Sequence, residues 1–595
     1  MKIVPRRLAE FRVAMTQYGC DMFIMPSSDP HSSEYAPGYY TAWEYFSGFS
    51  CENANLVVSH GEAALWVDGR FFGAADTALA GSGVASMHMG VKGVPTVYEW
   101  IQERLKPGMV LGYCAETMPL GQMRKLRDLC DEIGAELQDL AVVDAAWTED
   151  RPQLPTSPAW ILDSSFAGYN QKQKMEIVRE KLRNLGCTAM LATKLDSVAW
   201  LLNLRAGDVE NTPYALAFAY LDMERVVLFM DTGRLTEKAA QILKDSGVEF
   251  MGYSNMPGFL QTVTDKQTVL ADPATLNAAL YNALRENPAF EIREAQDPIV
   301  MLKAVKNDVE LHNSKYAHIR DAIAMVRFQM ELEFKVKRDQ MLRETDIDPI
   351  LHKYRSAGDN FIEESFPTIS AYGINAAMMH YAPQKGADAA IRQGGFLLVD
   401  SGATYYDGTT DITRTYPMGQ LTEDEILAYT RVLRCHIDMA MAVWKEGATG
   451  GELDMLARQP LWHHMLDYRC GTGHSVSHVG AVHEGPHSLR PHNGVVFEPG
   501  MVITDEPGIY EEGKLGIRIE NELICVLAGE TEYGRFLKFE PLMYVPIATS
   551  CVRTELLSAE EKEWLNWYHS EVVKKLSPRL NEQEILWLKD KCKAI

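Results

Sequence analysis

Four carboxylates and one imidazole stand where hairpin geometry would gather them. Asp400 closes the apolar run Phe396–Val399, the mark of a buried strand. Tyr406-Asp407-Gly408 offers a turn, and Thr409–Thr415 alternates polar with β-branched residues, so it reads as a returning strand that carries Asp411 back beside Asp400. Two carboxylates this close repel unless a cation or a shared proton lies between them. Taken alone, the stretch is better read as Asp400 shaping a turn beside Ser401-Gly402 while Asp411 faces water. A second acidic hairpin follows. Glu506 comes just after the apolar strand Met501–Thr504, Glu520 lies in Gly516–Asn521, and the two are equidistant from Gly513. A hairpin centred there sets them opposite one another, with Cβ atoms about 4.5–5.5 Å apart. Arg518 falls on the same strand face as Glu520, so a buried ion-pair network would satisfy this second pair. It would leave Asp400, Asp411 and the histidine of Gly471-Thr472-Gly473-His474 unexplained. Four carboxylates with one imidazole form a hard, oxygen-rich donor set. It suits Mn²⁺, with Zn²⁺ or Co²⁺ as alternatives, and has enough oxygens to bridge two ions about 3.5–4 Å apart.

One zinc-like pattern is a decoy. His483-Glu484-Gly485-Pro486-His487 satisfies H-E-x-x-H, which binds zinc only when its histidines share a helix face. Gly485-Pro486 opposes a helix, because an interior proline costs about 3 kcal/mol. The helical reading is rejected, and His483 is expected to be a loop histidine.

The elements that must hold these residues are legible in part. Asn307-x-x-Glu310, Thr422-x-x-Glu425 and Ser558-x-x-Glu561 are capping-box patterns. They predict helices running to about Phe334, to near Gly447, and close to the C-terminus. Short apolar runs between them predict antiparallel strands, and together these make an α+β domain. Ahead of it the chain looks duplicated. A helix over 6–19, a stop at Gly19-Cys20 and a strand Met22–Met25 are echoed by a helix Gln173–Leu185, a stop at Gly186-Cys187 and a strand Met190–Ala192. Ala64–Val67 followed by Asp68-Gly69-Arg70 is likewise echoed by Val226–Met230 followed by Asp231-Thr232-Gly233-Arg234. Two α/β domains of similar build are expected, joined by the proline-rich linker Thr148–Pro158. The expected division is 1–155, 156–305 and 306–595.

Composition bounds the rest. A chain of 595 residues is too long for one core, and 46% hydrophobic with 23% charged residues is globular. The net charge of −23 opposes nucleic acid or an anionic membrane as the main partner. The 10 cysteines form no CxxC pair, as befits free thiols in a reducing compartment. Neither an apolar leader core nor a membrane-length apolar run is present, so a cytoplasmic protein is expected.

The set LLVDSG…DGTTDITRT, GTGH, VHEGP, TDEPG and GIRIEN resembles the pita-bread metallopeptidases. More narrowly, it is similar to the three-domain Xaa-Pro aminopeptidases (aminopeptidase P). DGRFF, AAWTEDRPQLP and WLLNLRAGDVENTP in the front half extend the likeness over nearly the whole chain. The resemblance implies two creatinase-like N-terminal domains before a pita-bread catalytic domain, with peptides bearing proline at the second position as substrates and a homodimer as the assembly. It implies a dinuclear centre ligated by Asp400, Asp411, His474, Glu506 and Glu520. Asp411 and Glu520 would bridge, Asp400 would chelate one ion, and His474 and Glu506 would complete the other, with Glu506 also the general base. His380 and His483 match the family's non-ligand active-site histidines, which hydrogen-bond substrate. One departure is Cys470, where a histidine is frequent. Ser475 and Ser477 stand where glycines are frequent. A prolidase shares the fold and ligands, but the extra middle domain favours the aminopeptidase. Methionine aminopeptidase needs no such front domains, and creatinase-like chemistry does not use these ligands. A pita-bread protein that only binds peptides is opposed by the survival of all five ligand types.

Overall fold

The computed structural model describes residues 3–595. The chain forms two compact units. One runs through Ile161, Asn170–Glu210 and Tyr214–Ile299; the other is Leu162–Tyr169, Asn211–Pro213 and Val300–Ile595.

The first unit carries two six-stranded sheets built to one plan. In spatial order, the first is Ala85–His88, Ala63–Val67, Ala54–Ser59, Met22–Pro26, Val110–Tyr113 and Glu136–Asp139. The second is Val248–Met251, Val226–Phe229, Phe218–Asp222, Ala189–Ala192, Gln267–Ala271 and Phe290–Glu294. In each, a three-strand antiparallel core is flanked by parallel edge strands. The duplicated sequence therefore marks corresponding strands: Met22–Pro26 and Ala189–Ala192 are both central and almost wholly buried. Their helices are Ile3–Gln17 and Gln171–Asn184. Apolar side chains of both sheets, among them Ile24, Trp66, Leu191 and Phe229, meet in one core. Residues 151–158 between the sheets are irregular and mostly exposed, as three prolines require.

In the second unit three capped helices cover the strands that hold the acidic residues. They are Asp308–Lys337, Glu423–Ala440 and Ala559–Leu576, each opened by the expected reciprocal capping box. Phe328, Tyr429, Val432, Leu565 and Tyr568 from their buried faces pack against Leu397, Val399, Ile412, Ile517 and Ile519. One helix boundary differs from expectation. The helix after Thr422 stops at Ala440, not near Gly447, and Val443–Lys445 is a strand paired with Gly534–Pro541. A distant partner strand overrides a helical pattern that local sequence alone would continue. Its sheets include a three-stranded group (Ile369–Tyr372, Phe396–Ser401, Ile412–Pro417), a second three-stranded group (Phe361–Glu364, Ala403–Tyr405, Gly408–Thr409), a six-stranded sheet containing Asn521–Thr531, Val502–Asp505 and Gly473–Ser475, and the hairpin Gly508–Glu511/Leu515–Arg518.

Candidate metal centre

Both acidic hairpins form, and both are interrupted where their carboxylates sit. In the first, Phe396–Ser401 pairs with Ile412–Pro417, Asp400 facing Thr413, and farther out Ala403–Tyr405 pairs with Gly408–Thr409 in the same register. Continuing that register sets Asp411 opposite Gly402, and there the ladder is broken. The single returning strand expected over Thr409–Thr415 is thus two strands, with Asp411 in the gap. The second hairpin repeats the device. Gly508–Glu511 pairs with Leu515–Arg518 about Gly513, and Val502–Asp505 pairs with Asn521–Ile524 in the same register. Glu506 and Glu520 fall opposite one another, as the count around Gly513 predicts, in the gap between ladders. Glu520 is therefore not within a strand. A gap frees the backbone to turn both side chains inward, and it requires other acceptors for the freed N–H groups.

Those acceptors lock the hairpins together. The Asp411 N–H donates to Glu522 Oε1 at 2.6 Å, and the Glu520 N–H donates to Thr413 O at 3.1 Å. Thr413 Oγ1 donates to Glu520 Oε2 at 2.7 Å, and Thr415 Oγ1 donates to the Arg518 carbonyl at 2.8 Å. Arg414, fully buried, donates to the Glu520 carbonyl and to Asn521 Oδ1. Two glycines permit the close approach. A Cβ on Gly402 would lie 1.9 Å from the Thr410 carbonyl oxygen, and one on Gly473 would lie 1.8 Å from that of Thr504.

The side chains converge. One ligand atom each from Asp411, His474 and Glu520 lie within 4.8 Å of one another. His474 Nε2 is 3.4 Å from Asp411 Oδ2 and 3.5 Å from Glu506 Oε1. Asp400 joins through Arg518, whose guanidinium donates to Asp400 Oδ2 at 2.5 Å and lies 3.9 Å from Glu506 Oε2. Arg518 thus neutralises part of the charge, but not all of it. Asp400 Oδ1 and Glu520 Oε1 are buried and accept no hydrogen bond among the described residues. A buried carboxylate oxygen without a donor is costly. Burial, reinforced by neighbouring negative charge, raises both Asp411 and Glu520 above the usual carboxylate range. Burial opposes the His474 imidazolium, but Asp411 and Glu506 outweigh it and lift His474 to about 9. The cluster thus resists carrying its full negative charge without a counter-ion, and its orphaned oxygens and single imidazole fit divalent cations. Asp407, in the turn, is bound by Arg320 at 2.8 and 3.0 Å and takes no part.

The other expected residues are placed as follows. His483 lies in the bend before the strand Glu484–Leu489, its ring edge-on to that of His474 with centroids 4.3 Å apart. Glu484 to His487 is strand, not helix, which removes the zinc-helix reading. His380 is exposed, in the turn that follows the 3-10 segment Gly373–Ala377. The Cys470 thiol is pushed up to about 12 by burial, with the Glu506 charge adding to the effect, so it stays protonated at neutral pH. Thr413, Arg414 and Glu522 are functional neighbours that the motifs alone do not pick out. The signal that could have found Thr413 and Glu522 is the strand period of two: 411, 413 and 415 share one face, and 518, 520 and 522 another, whereas Arg414 falls on the opposite face and gives no such signal.

Two buried histidines, His487 and His569, carry a testable consequence. Burial pushes both His487 and His569 down to about 4. His487 Nε2 faces the Val502 carbonyl at 2.7 Å, and His569 Nε2 accepts from the Ile547 N–H at 3.2 Å. Their folded values lie below the unfolded value near 6.5, so the unfolded chain binds the extra protons and stability falls as pH drops from about 6.5 toward 4. By pH 5 the loss is about 2 kcal/mol per histidine. Urea unfolding of H569Q at pH 7 and pH 5 should show a pH effect smaller by that amount than the wild-type one.

Comparison with known proteins agrees with the geometry. The profile of metallopeptidase family M24 matches residues 312–526, and that of the C-terminal region of the same peptidases matches 535–595. Creatinase/prolidase N-terminal domain profiles match 7–145 and 150–310. Aminopeptidase P2 of Arabidopsis thaliana is 36% identical over 98% of this chain and 88% of its own length. Xaa-Pro aminopeptidase 1 of Dictyostelium discoideum is 34% identical over 100% and 97%. The crystal structure of X-prolyl aminopeptidase from Caenorhabditis elegans, described as a cytosolic enzyme with a di-nuclear active site, superposes with a TM-score of 0.93 at 33% identity, covering 100% of both chains. The chain is a metallopeptidase of family M24, and within that family it belongs to the Xaa-Pro aminopeptidases built on creatinase/prolidase N-terminal domains.

Proposed function

We propose that the chain removes the first residue of peptides whose second residue is proline, using two divalent cations held by Asp400, Asp411, His474, Glu506 and Glu520. The observation that carries this reading is the pair of ladder breaks. Two unrelated hairpins each open at an acidic position, and their side chains converge with His474 on oxygens that lack protein donors. In this reading Asp411 and Glu520 would serve both cations, Asp400 would serve one, and His474 with Glu506 would serve the other. When bound, the cations supply a water of lowered pKa and polarise the scissile carbonyl. Glu506 takes the proton of the attacking water. The scissile nitrogen belongs to proline, a tertiary amide with no N–H, and leaves only once protonated; Glu506 returns the proton to it. His483 and His380 hydrogen-bond substrate beside the scissile bond, where a donor stabilises the developing oxyanion. Arg518 fixes Asp400 and Glu506 relative to each other.

The native cation in this reading is Mn²⁺, by the excess of carboxylate oxygen over nitrogen donors. Its compartment in this reading is the cytoplasm, as the Caenorhabditis elegans relative is described as cytosolic. The homodimer is carried over from the resemblance, and sedimentation velocity decides it. The division into 1–155, 156–305 and 306–595 is supported by the two sheets of the first unit and by the separate profile matches.

Substrate length is the test. Xaa-Pro-Xaa tripeptides should be cleaved at least ten times faster than the matching Xaa-Pro dipeptides at equal concentration. Cleavage of dipeptides alone would make the chain a prolidase. No cleavage of either, with cations bound, would make it a peptide-binding protein.

A further inference from the structure

We propose that Glu344 is a positioning residue for His380, a role that rests on the reading of His380 as a substrate contact. Glu344 is fully buried. Its Oε1 accepts from the Tyr372 N–H at 2.6 Å and from Asn375 Nδ2 at 3.0 Å. Its Oε2 accepts from Tyr381 Oη at 2.8 Å, from the Ala389 N–H at 2.7 Å and from Asn375 Nδ2 at 3.1 Å. Asn375 Nδ2 also donates to Tyr381 Oη at 3.1 Å. Every one of these donors belongs to the stretch 372–389, and they sit at its two ends and on both sides of His380.

That stretch needs such an anchor. After the strand Ile369–Tyr372 it forms only the 3-10 turn Gly373–Ala377 and then turns and irregular chain as far as the short strand Ala390–Ile391, with no ladder to fix it. Ile374 is 60% and Met378 53% exposed, so apolar burial at the apex does little. The base, in contrast, is tied to both acidic hairpins. Ala376 and Tyr381 pack with Leu398, two residues before Asp400. A Cβ on Gly516 would lie 1.7 Å from the Ala376 carbonyl oxygen, two residues before Arg518. Glu344 therefore holds the backbone on either side of His380 in register with the strands that carry Asp400 and Arg518. A buried carboxylate satisfied by charge-assisted hydrogen bonds is a stiff mount, and loss of an acceptor there costs more than loss of a surface contact. None of the named donors is a lysine or arginine, so the carboxylate acts by geometry and not as half of an ion pair.

A double-mutant cycle tests it, run on the full-length chain loaded with Mn²⁺ and assayed on an Xaa-Pro-Xaa tripeptide. E344Q should lower kcat at least tenfold with a KM change below threefold, and with cation content unchanged. In an H380A background the same change should lower kcat less than twofold, because the group it positions is already gone. Amide exchange over 373–381 should accelerate in E344Q while exchange over 396–417 stays as in wild type. An equal loss in both backgrounds, or no loss in either, overturns the proposal and leaves the role of His380 standing. If H380A alone keeps wild-type kcat, the reading of His380 fails and the proposal with it. Should E344Q not fold, Tyr381→Phe, which removes the hydroxyl's bonds to Glu344 and Asn375 while leaving the carboxylate in place, takes its place in the cycle with the same pattern expected at about threefold.

Discussion

Glu506→Gln should lower kcat by about 10²–10⁴-fold, the range of a removed general acid–base group, while changing KM much less. The amide keeps one oxygen to face a cation and about the same volume, so the change removes proton transfer more than it removes structure. The loss corresponds to about 3–5 kcal/mol of transition-state stabilisation. Glu506 also sits 3.5 Å from His474 and 3.9 Å from Arg518, so a second explanation must be separated: weakened cation binding. Excess Mn²⁺ distinguishes them. Activity that stays low at saturating cation means that the proton path is broken. Full recovery at high cation means that Glu506 serves only as a ligand, and a different base must be sought.

Glu520→Gln should act on the cations themselves. Glu520 would be, with Asp411, one of two carboxylates serving both ions in the proposed centre, and its Oε1 has no partner among the described residues. Loss of an outer-shell partner typically costs 10–100-fold in metal affinity or activity, so loss of a direct bridging ligand should cost at least 100-fold in kcat/KM. Bound cation should fall from two per chain to one or fewer. Stability should respond with opposite signs in the two states. In the cation-free protein, Glu520 is held among Asp411, Glu506 and Asp400, all of which oppose its ionisation, so a neutral amide there is tolerated and the apo Tm should not fall. In wild type, cation at a hundredfold over Kd should add about 2.7 kcal/mol, and E520Q should lose most of that increment. Chelation should leave both sheets of the first unit intact, because none of the five proposed ligands lies in it. Differential scanning calorimetry with and without Mn²⁺ reads both effects.

How far the sequence foretold the structure can be judged residue by residue. The count about Gly513 placed Glu506 opposite Glu520 correctly, because antiparallel register follows from the turn alone. The capping boxes at Asn307, Thr422 and Ser558 gave three helix starts correctly, because an N-cap is a local contract between residues three apart. What local sequence could not give was the break in each ladder. That depends on where freed N–H groups find acceptors, and the acceptor for Asp411 is Glu522, far away in sequence. The same limit hid the strand Val443–Lys445, whose partner Gly534–Pro541 is equally distant. It also hid the mount of His380, since nothing near Arg343-Glu344-Thr345 in sequence announces that Tyr372, Asn375, Tyr381 and Ala389 will close around it.

The central claim is that the converging carboxylates and His474 form a two-cation hydrolytic centre. The most direct measurement is a cation titration of chelator-stripped protein, with bound metal and tripeptide hydrolysis followed in the same samples. Stripped protein should be folded and inactive, and hydrolysis of an Xaa-Pro-Xaa substrate should rise to its plateau as bound Mn²⁺ approaches two per chain. Full activity in protein that retains no metal, or inactivity with two cations bound, would contradict the account.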